Sequence, residues 1–418
     1  MRIVRVFGWL SALLLLGSVS VVAFIVVLGW RHPGSLTLPA PTGPYAVGRI
    51  VVDWRDDARI DPFAPAGDTK RELPVWIWYP AARDAPQPRA AYMPSRVIEA
   101  MQPHPPFLVR FVMERLTIDR ASVTAHALDS PALAPGADGF PVLLLKPAVG
   151  AAVVQNSALA EDLASHGYVV VGSDSPYTTP GVAYQDGRIA LRTLAGHPPE
   201  SAPGRVSELA PGQPNDLHLP VVDVWVKDNR FILDRLQTLN DADPSGRFTG
   251  RLDLNAVGAL GHSLGGAAAL QFCHEDARCK AGVNLDGMPY GEVVLHGIAK
   301  PFLFLSADRP MFDAPMTELS IPERDFLTAL ERMRQRIPSR PSLLLLQGAA
   351  HFNFFDQALL TEPTIWRLFG ALGSIDPRRA LVVARRYVRA FFDTHLKGLP
   401  DPLLDGPNDE FPEVHFKS

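Results

Sequence analysis

Residues 255–270 read NAVGALGHSLGGAAAL, and the fold turns on how this stretch is parsed. Asn255 to Leu260 is a short apolar run of the kind a fully buried strand carries, and Gly265 to Leu270 is a run of small residues suited to a closely packed helix. Between them stands G-x-S-x-G, residues 261–265, with Ser263 at its centre. Alone the pattern is weak evidence, because two glycines and a serine at fixed spacing recur by chance in long chains. Set between a strand and a helix, it describes a sharp turn that exposes a serine hydroxyl at a helix N-terminus. Gly261 and Gly265 let such a turn close against its neighbours. The Leu264 N–H and the helix dipole then face any negative charge that develops beside the serine. The competing reading is a glycine-rich turn whose serine merely caps the helix.

Working outward, the chain alternates strand and helix. FPVLLLKP from 140, SALAEDLASHG from 157 and YVVVGSD from 168 precede the serine. Val221 to Asn240 places Trp225, Ile232, Leu236 and Leu239 on one helical face. After the serine come AGVNL from 281, PFLFLS from 301, a helix near 323–336, SLLLLQG from 342 and a helix over 378–397 with Tyr387, Phe391 and Leu396 inward. This is the pattern of an α/β fold, a mostly parallel central sheet with helices on both faces. GRIVVDWR from 48 and LPVWIWYP from 73 read as strands at the edge of that sheet. The segment between them and residue 138 is polar and broken by proline, and 178–219 reads as a Pro- and Gly-rich insertion over one sheet edge. One domain over 45–418, rather than two, is expected.

Val6 to Trp30 is a stretch of 25 residues without a charge, flanked by Arg2, Arg5 and Arg31. As a helix it would reach about 37 Å, enough to cross a hydrocarbon core. Residues 1–30 therefore read as a membrane anchor with a cytoplasmic N-terminus, with a cleaved signal peptide as the alternative. Either way the body is expected to be exported, anchored at the membrane or secreted, with 31–44 as a Pro-rich spacer. Of 418 residues 47% are hydrophobic and 20% charged, which excludes a disordered chain, and a net charge of −4 without a basic run excludes a nucleic-acid partner. Two cysteines, Cys273 and Cys279, cannot build a Cys-only zinc site. In an oxidising compartment they are spaced to close a small loop; two buried thiols are the alternative.

A serine nucleophile needs a base, and the base needs an orienting carboxylate, which in such sheets follow in the order Ser, acid, His. His274 lies on the helix leaving the turn, His395 on the last helix and His415 in the tail. His351 follows a strand and a short loop, QGAAHFNFFD, where the base belongs. Two acids end successive strands, Asp286 after AGVNL and Asp308 after PFLFLSA, and chain order does not separate them. Asp174, Asp313 and Asp356 read as loop caps or supporting groups.

PTGPYAVG at 41, DPF at 61, REL and WYP between 71 and 80, DLASHGY at 162, GHSLGG at 261, NLDG at 284 and GAAH at 348 together resemble the platelet-activating factor acetylhydrolase family of the secreted, isoform II type, within the α/β-hydrolase superfamily. The resemblance covers about 41–417. It implies a triad of Ser263, Asp286 and His351, leaving Asp308 at the position more usual in the superfamily. It also implies an oxyanion hole from the N–H groups of Leu264 and Val149, although KPAVGA at 146–151 carries Ala148 where glycine is usual. The expected activity is hydrolysis of short-acyl carboxylic esters through an acyl-serine, with no metal or cofactor. The expected partner is a small-molecule or lipid ester, and the membrane through the N-terminal helix; the oligomeric state is not read. Polyester, aryl-ester or dienelactone-type hydrolysis is the alternative, as is a catalytically silent membrane-tethered binding protein. Met288, Tyr290, Phe352, Phe354 and Phe355 are candidates for an acyl pocket, and no cationic clamp for a phosphate is evident.

Overall fold

The computed structural model describes residues 34–102, 111, 114–136, 139–196 and 220–417. The segment 1–30 and much of the 178–219 insertion lie outside them. Predominantly apolar runs become the central, largely buried strands: β6 (Phe140–Lys146), β7 (Val169–Ser173), β10 (Leu252–His262), β11 (Cys279–Leu285), β12 (Phe302–Ala307) and β13 (Leu343–Leu346). They pair in parallel, and β2 (Ala46–Ile60), β3 (Lys70–Ala81) and β5 (Leu128–Asp129) extend one end while β14 (Val414–Lys417) closes the other. The ten-stranded order is β14-β13-β12-β11-β10-β6-β7-β3-β2-β5, with β3 and β14 antiparallel to their parallel-sheet neighbours.

The period of two sorts each strand between two cores. Leu143, Leu145, Leu303, Leu305, Leu344 and Leu346 face one layer, which contains α2 (Ser157–Ser165) and the long helix Pro377–Leu396. Val142, Leu144, Phe302, Phe304, Leu343 and Leu345 face the other, with α3 (Pro220–Ala242), α4 (Leu264–Glu275) and α5 (Ile321–Arg334). Both faces of the sheet are thus covered, as its apolar strands require.

The first and last described segments are both tied to the fold. The spacer does not hang free where it is described: Leu36–Thr37 forms β1 against β4 (Val123–Thr124), Leu38 is 2% exposed, and Arg385 donates to Pro39 O and Ala40 O. Leucines at 36 and 38 among the prolines give it an apolar side worth burying. His415 belongs to an edge strand rather than a loose tail, because β13 leaves an open row of backbone groups that β14 satisfies.

Beneath the sheet's C-terminal end lies a buried ionic cluster. Arg71 bridges Asp61 and Asp228, each at 2.7 Å, and Lys146 Nζ donates to Ser173 Oγ at 2.6 Å and lies 3.5 Å from Asp228. Burial pushes the Lys146 ammonium down to about 8 against the pull of Asp228. Burial alone would raise the Asp228 carboxyl, but Arg71 and Lys146 hold it well below the usual carboxylate range.

Candidate active site

Ser263 sits where β10 breaks into α4, with φ 56° and ψ −125°, a conformation a β-carbon-bearing residue adopts only when its surroundings impose it. They do so through missing side chains. A Cβ on Gly261 would meet the Gly265 backbone at 2.3 Å, one on Gly265 would meet Lys146 O at 2.3 Å, and one on Gly287 would meet Ser263 O at 2.1 Å. Ser263 N–H donates to Leu285 O at 2.8 Å, which ties the turn to the end of β11.

Asp286 is the next residue along, also at positive φ (52°). Its N–H donates to Leu305 O, and its Oδ1 accepts the Ala307 N–H, both at 2.9 Å, so the carboxyl is fixed by the β12 end. Its Oδ2 accepts from His351 Nδ1 at 2.7 Å and from Arg309 Nη2. Burial pushes this carboxyl up, but the His351 hydrogen bond, the Arg309 charge and the Ala307 N–H together hold it below its ordinary range. In a neutral imidazole, an Nδ1–H given to the carboxylate leaves the other ring nitrogen as an acceptor. Asp308 is placed elsewhere: its Oδ2 meets His415 Nδ1 at 3.0 Å.

The His351 loop is held by Asn353, whose Oδ1 accepts from Ala350 N at 2.8 Å and Gly373 N at 2.9 Å. His262 donates from Nε2 to His351 O at 2.9 Å and lies with its ring centroid 4.6 Å from that of His351. Burial, with the His351 ring beside it, pushes His262 down to about 3, so it stays neutral. Its Nδ1 is buried without a partner.

Val149 lies in the loop after β6. Ala148 keeps an ordinary backbone conformation, so no glycine is needed there, and the positive φ falls at Gly150 (79°). The Ala151 N–H closes a turn onto Ala148 O at 3.1 Å. Beyond the turn, Gln155 accepts from Ala152 N and donates to Gln357 Oε1, and Asp356 N–H donates to Gln155 O, so this loop and the His351 loop are braced against each other.

Ser263, His351, His262, Ala148 and Val149 border one cavity of about 840 Å³. Phe352, Phe355 and Trp366 line it, together with Ile98 and Met101 of α1 (Ser95–Met101) and Ile118. Phe354 is buried in the core, and Met288 and Tyr290 are partly buried against the second core layer and do not line the cavity. Arg120 reaches the lining with Asp119 and Glu114, so the cavity wall is not without a cation. Sequence reading missed α1, Arg120, Arg309 and the contact of His262 with His351. For α1, the apolar spacing of Val97, Ile98 and Met101 was the available signal. Cys273 and Cys279 form a disulfide at the far end of α4. Among the described residues no three of His, Cys, Asp and Glu converge as metal ligands would, and no helix is long and apolar enough to cross a membrane.

Residues 32–176 and 238–401 match the model of the platelet-activating factor acetylhydrolase, isoform II, family. A protein of Arthroderma benhamiae named as a probable 1-alkyl-2-acetylglycerophosphocholine esterase is 27% identical over 92% of this chain and 94% of its own length. The platelet-activating factor acetylhydrolase of Bos taurus is 26% identical over 62% of this chain and 57% of its own. Among solved structures, a ferulic acid esterase from Streptomyces cinnamoneus aligns with a TM-score of 0.69 at 32% identity, covering 92% of this chain and all of that one.

Proposed function

The chain belongs to the platelet-activating factor acetylhydrolase isoform II family and is a serine carboxylic-ester hydrolase, and we propose that Ser263, His351 and Asp286 are its catalytic triad. The observation that carries this is the 2.7 Å bond from His351 Nδ1 to buried Asp286, made beside a serine in a strained turn on the same cavity. In this reading His351 Nε2 takes the Ser263 proton as Oγ attacks the ester carbonyl. The N–H groups of Leu264 and Val149 receive the oxyanion, and His351 returns the proton to the leaving alcohol. Water, deprotonated by the same nitrogen, then releases the acid from the acyl-serine.

Support for Leu264 comes from its place as first residue of α4, where a helix leaves its N–H groups unsatisfied. A short acyl group, acetyl to about butyryl, is the substrate class of this reading, supported by the acetyl ester in the relatives' names, and the aromatic wall of Phe352, Phe355 and Trp366 suits an ester with an apolar part. For residues 1–30 we retain an export segment or anchor, supported by the uncharged stretch Val6–Trp30. Labelling with a fluorophosphonate tests the nucleophile: wild-type protein should label and Ser263→Ala should not, while keeping its thermal transition. A labelled and active Ser263→Ala protein refutes the assignment. Rates on aryl esters of rising acyl length test the substrate class, and rates that climb beyond about eight carbons would contradict it.

A further inference from the structure

We propose that Arg309 is a positioning residue for this esterase: its guanidinium fixes the Asp286 carboxylate that orients His351 and shares its negative charge. The proposal rests on the triad reading above.

The geometry behind it is asymmetric. Asp286 has no exposed side-chain surface, and one oxygen, Oδ2, receives both the His351 imidazole and the Arg309 guanidinium. Arg309 itself is 35% exposed, so its side chain is not held in place by burial. Its backbone is set locally: it is extended (φ −109°, ψ 148°) and precedes Pro310, which disfavours a helical residue before it. The neighbouring Asp308 turns the other way, to His415 on the edge strand. One dipeptide at the end of β12 thus sends its acid to β14 and its cation to the adjacent strand's acid.

That arrangement has a chemical consequence. A carboxylate facing a histidine attracts the imidazolium form; a cation on the same oxygen offsets part of that attraction. The groups that face His351 are Asp286 and Arg309 on one side, neutral His262 on another, and Asp119, Glu114 and Arg120 around the cavity, with the Asp308–His415 pair on the neighbouring strands. Of these, Arg309 is the cation in direct contact with the carboxylate that binds the imidazole. Replacing it leaves an undivided negative charge beside the imidazole and a carboxylate one contact freer.

The test is the pH profile of kcat/KM for Arg309→Gln and Arg309→Lys on a soluble aryl acetate, with Asp286→Asn measured alongside. Arg309→Gln is expected to lower kcat on the order of tenfold with KM unchanged, and to move the acidic limb upward by about half to one pH unit. Arg309→Lys should restore the position of the limb and part of kcat. A Gln variant whose profile superimposes on that of wild type overturns the proposal. So does a loss of rate without a shift of the limb that Lys fails to repair, which marks Arg309 as a structural tie only. If Asp286→Asn retains wild-type turnover, it is the triad reading that fails, a result separable from either outcome at Arg309.

Discussion

Asp286 and Asp308 each follow the last residue of neighbouring strands, β11 and β12, and their surroundings differ. Asp286 is buried, turned by a positive φ, and spends one oxygen on His351. Asp308 spends its own on His415, on a strand at the sheet edge. Asp286→Asn is therefore expected to lower kcat on the order of 10⁴, as loss of an orienting carboxylate does, while Asp308→Asn should cost less than about tenfold. Steady-state rates of both variants on one ester, with matched circular dichroism, decide the ranking. Chain order alone left these two acids open. What separates them is which histidine each receives, His351 at Asp286 and His415 at Asp308, and nothing local to residues 286 or 308 announces it. Ser263 was legible because its constraints are local, carried by the glycines around it. Arg309 was not, since an arginine in a surface loop carries no mark of where its side chain will point.

At the scale of elements, α4 is pinned at both ends. Its first turn packs against the end of β6 and the loop after it through Gly265, and its last turn is tied by Cys273–Cys279 to the first residue of β11. A disulfide that closes so short a loop removes a modest amount of unfolded-state entropy, about 2 kcal/mol. The double variant Cys273→Ser/Cys279→Ser should thus melt a few degrees lower in calorimetry. Its kcat should remain that of wild type, because the bond lies at the end of α4 away from Ser263. The alternating strands and helices from residue 140 onward were readable from apolar runs and helical spacing, since there burial on both faces leaves little freedom. The cavity wall was not: α1 is only seven residues long, and Thr117, Ile118 and Arg120, which line the cavity with it, come after a run broken by Pro103, Pro105 and Pro106. Edge strand β14 escaped notice for the same reason, as four residues with charges on either side look like a tail until β13 is seen to need a neighbour.

Across the whole molecule, the buried cluster of Arg71, Asp61, Asp228 and Lys146 joins β3, β6 and α3. Removing one partner strands buried charge: Asp228→Asn is expected to cost about 3–5 kcal/mol in urea unfolding. The sign of its pH dependence follows from the direction of the shift. The folded-state carboxyl of Asp228 lies below its unfolded value, so its contribution is complete above about pH 5 and is lost as the pH falls. Wild-type urea midpoints should consequently decline more steeply than those of Asp228→Asn on going from about pH 5 to pH 3. A parallel decline of the two would show that the cluster does not couple to acid unfolding.

The closing of the sheet by Val414–Lys417 also sets a timetable. Leu343–Leu346 leaves the ribosome well before the strand that covers it, with the long helix Pro377–Leu396 emerging in between. Until residue 417 arrives, a nascent chain carries four consecutive leucines on a strand with one unpaired side, the kind of surface that recruits other strands or a chaperone. The parallel core is complete in sequence by then, yet the edge that guards it against its neighbours on the polysome is the last described piece to be made.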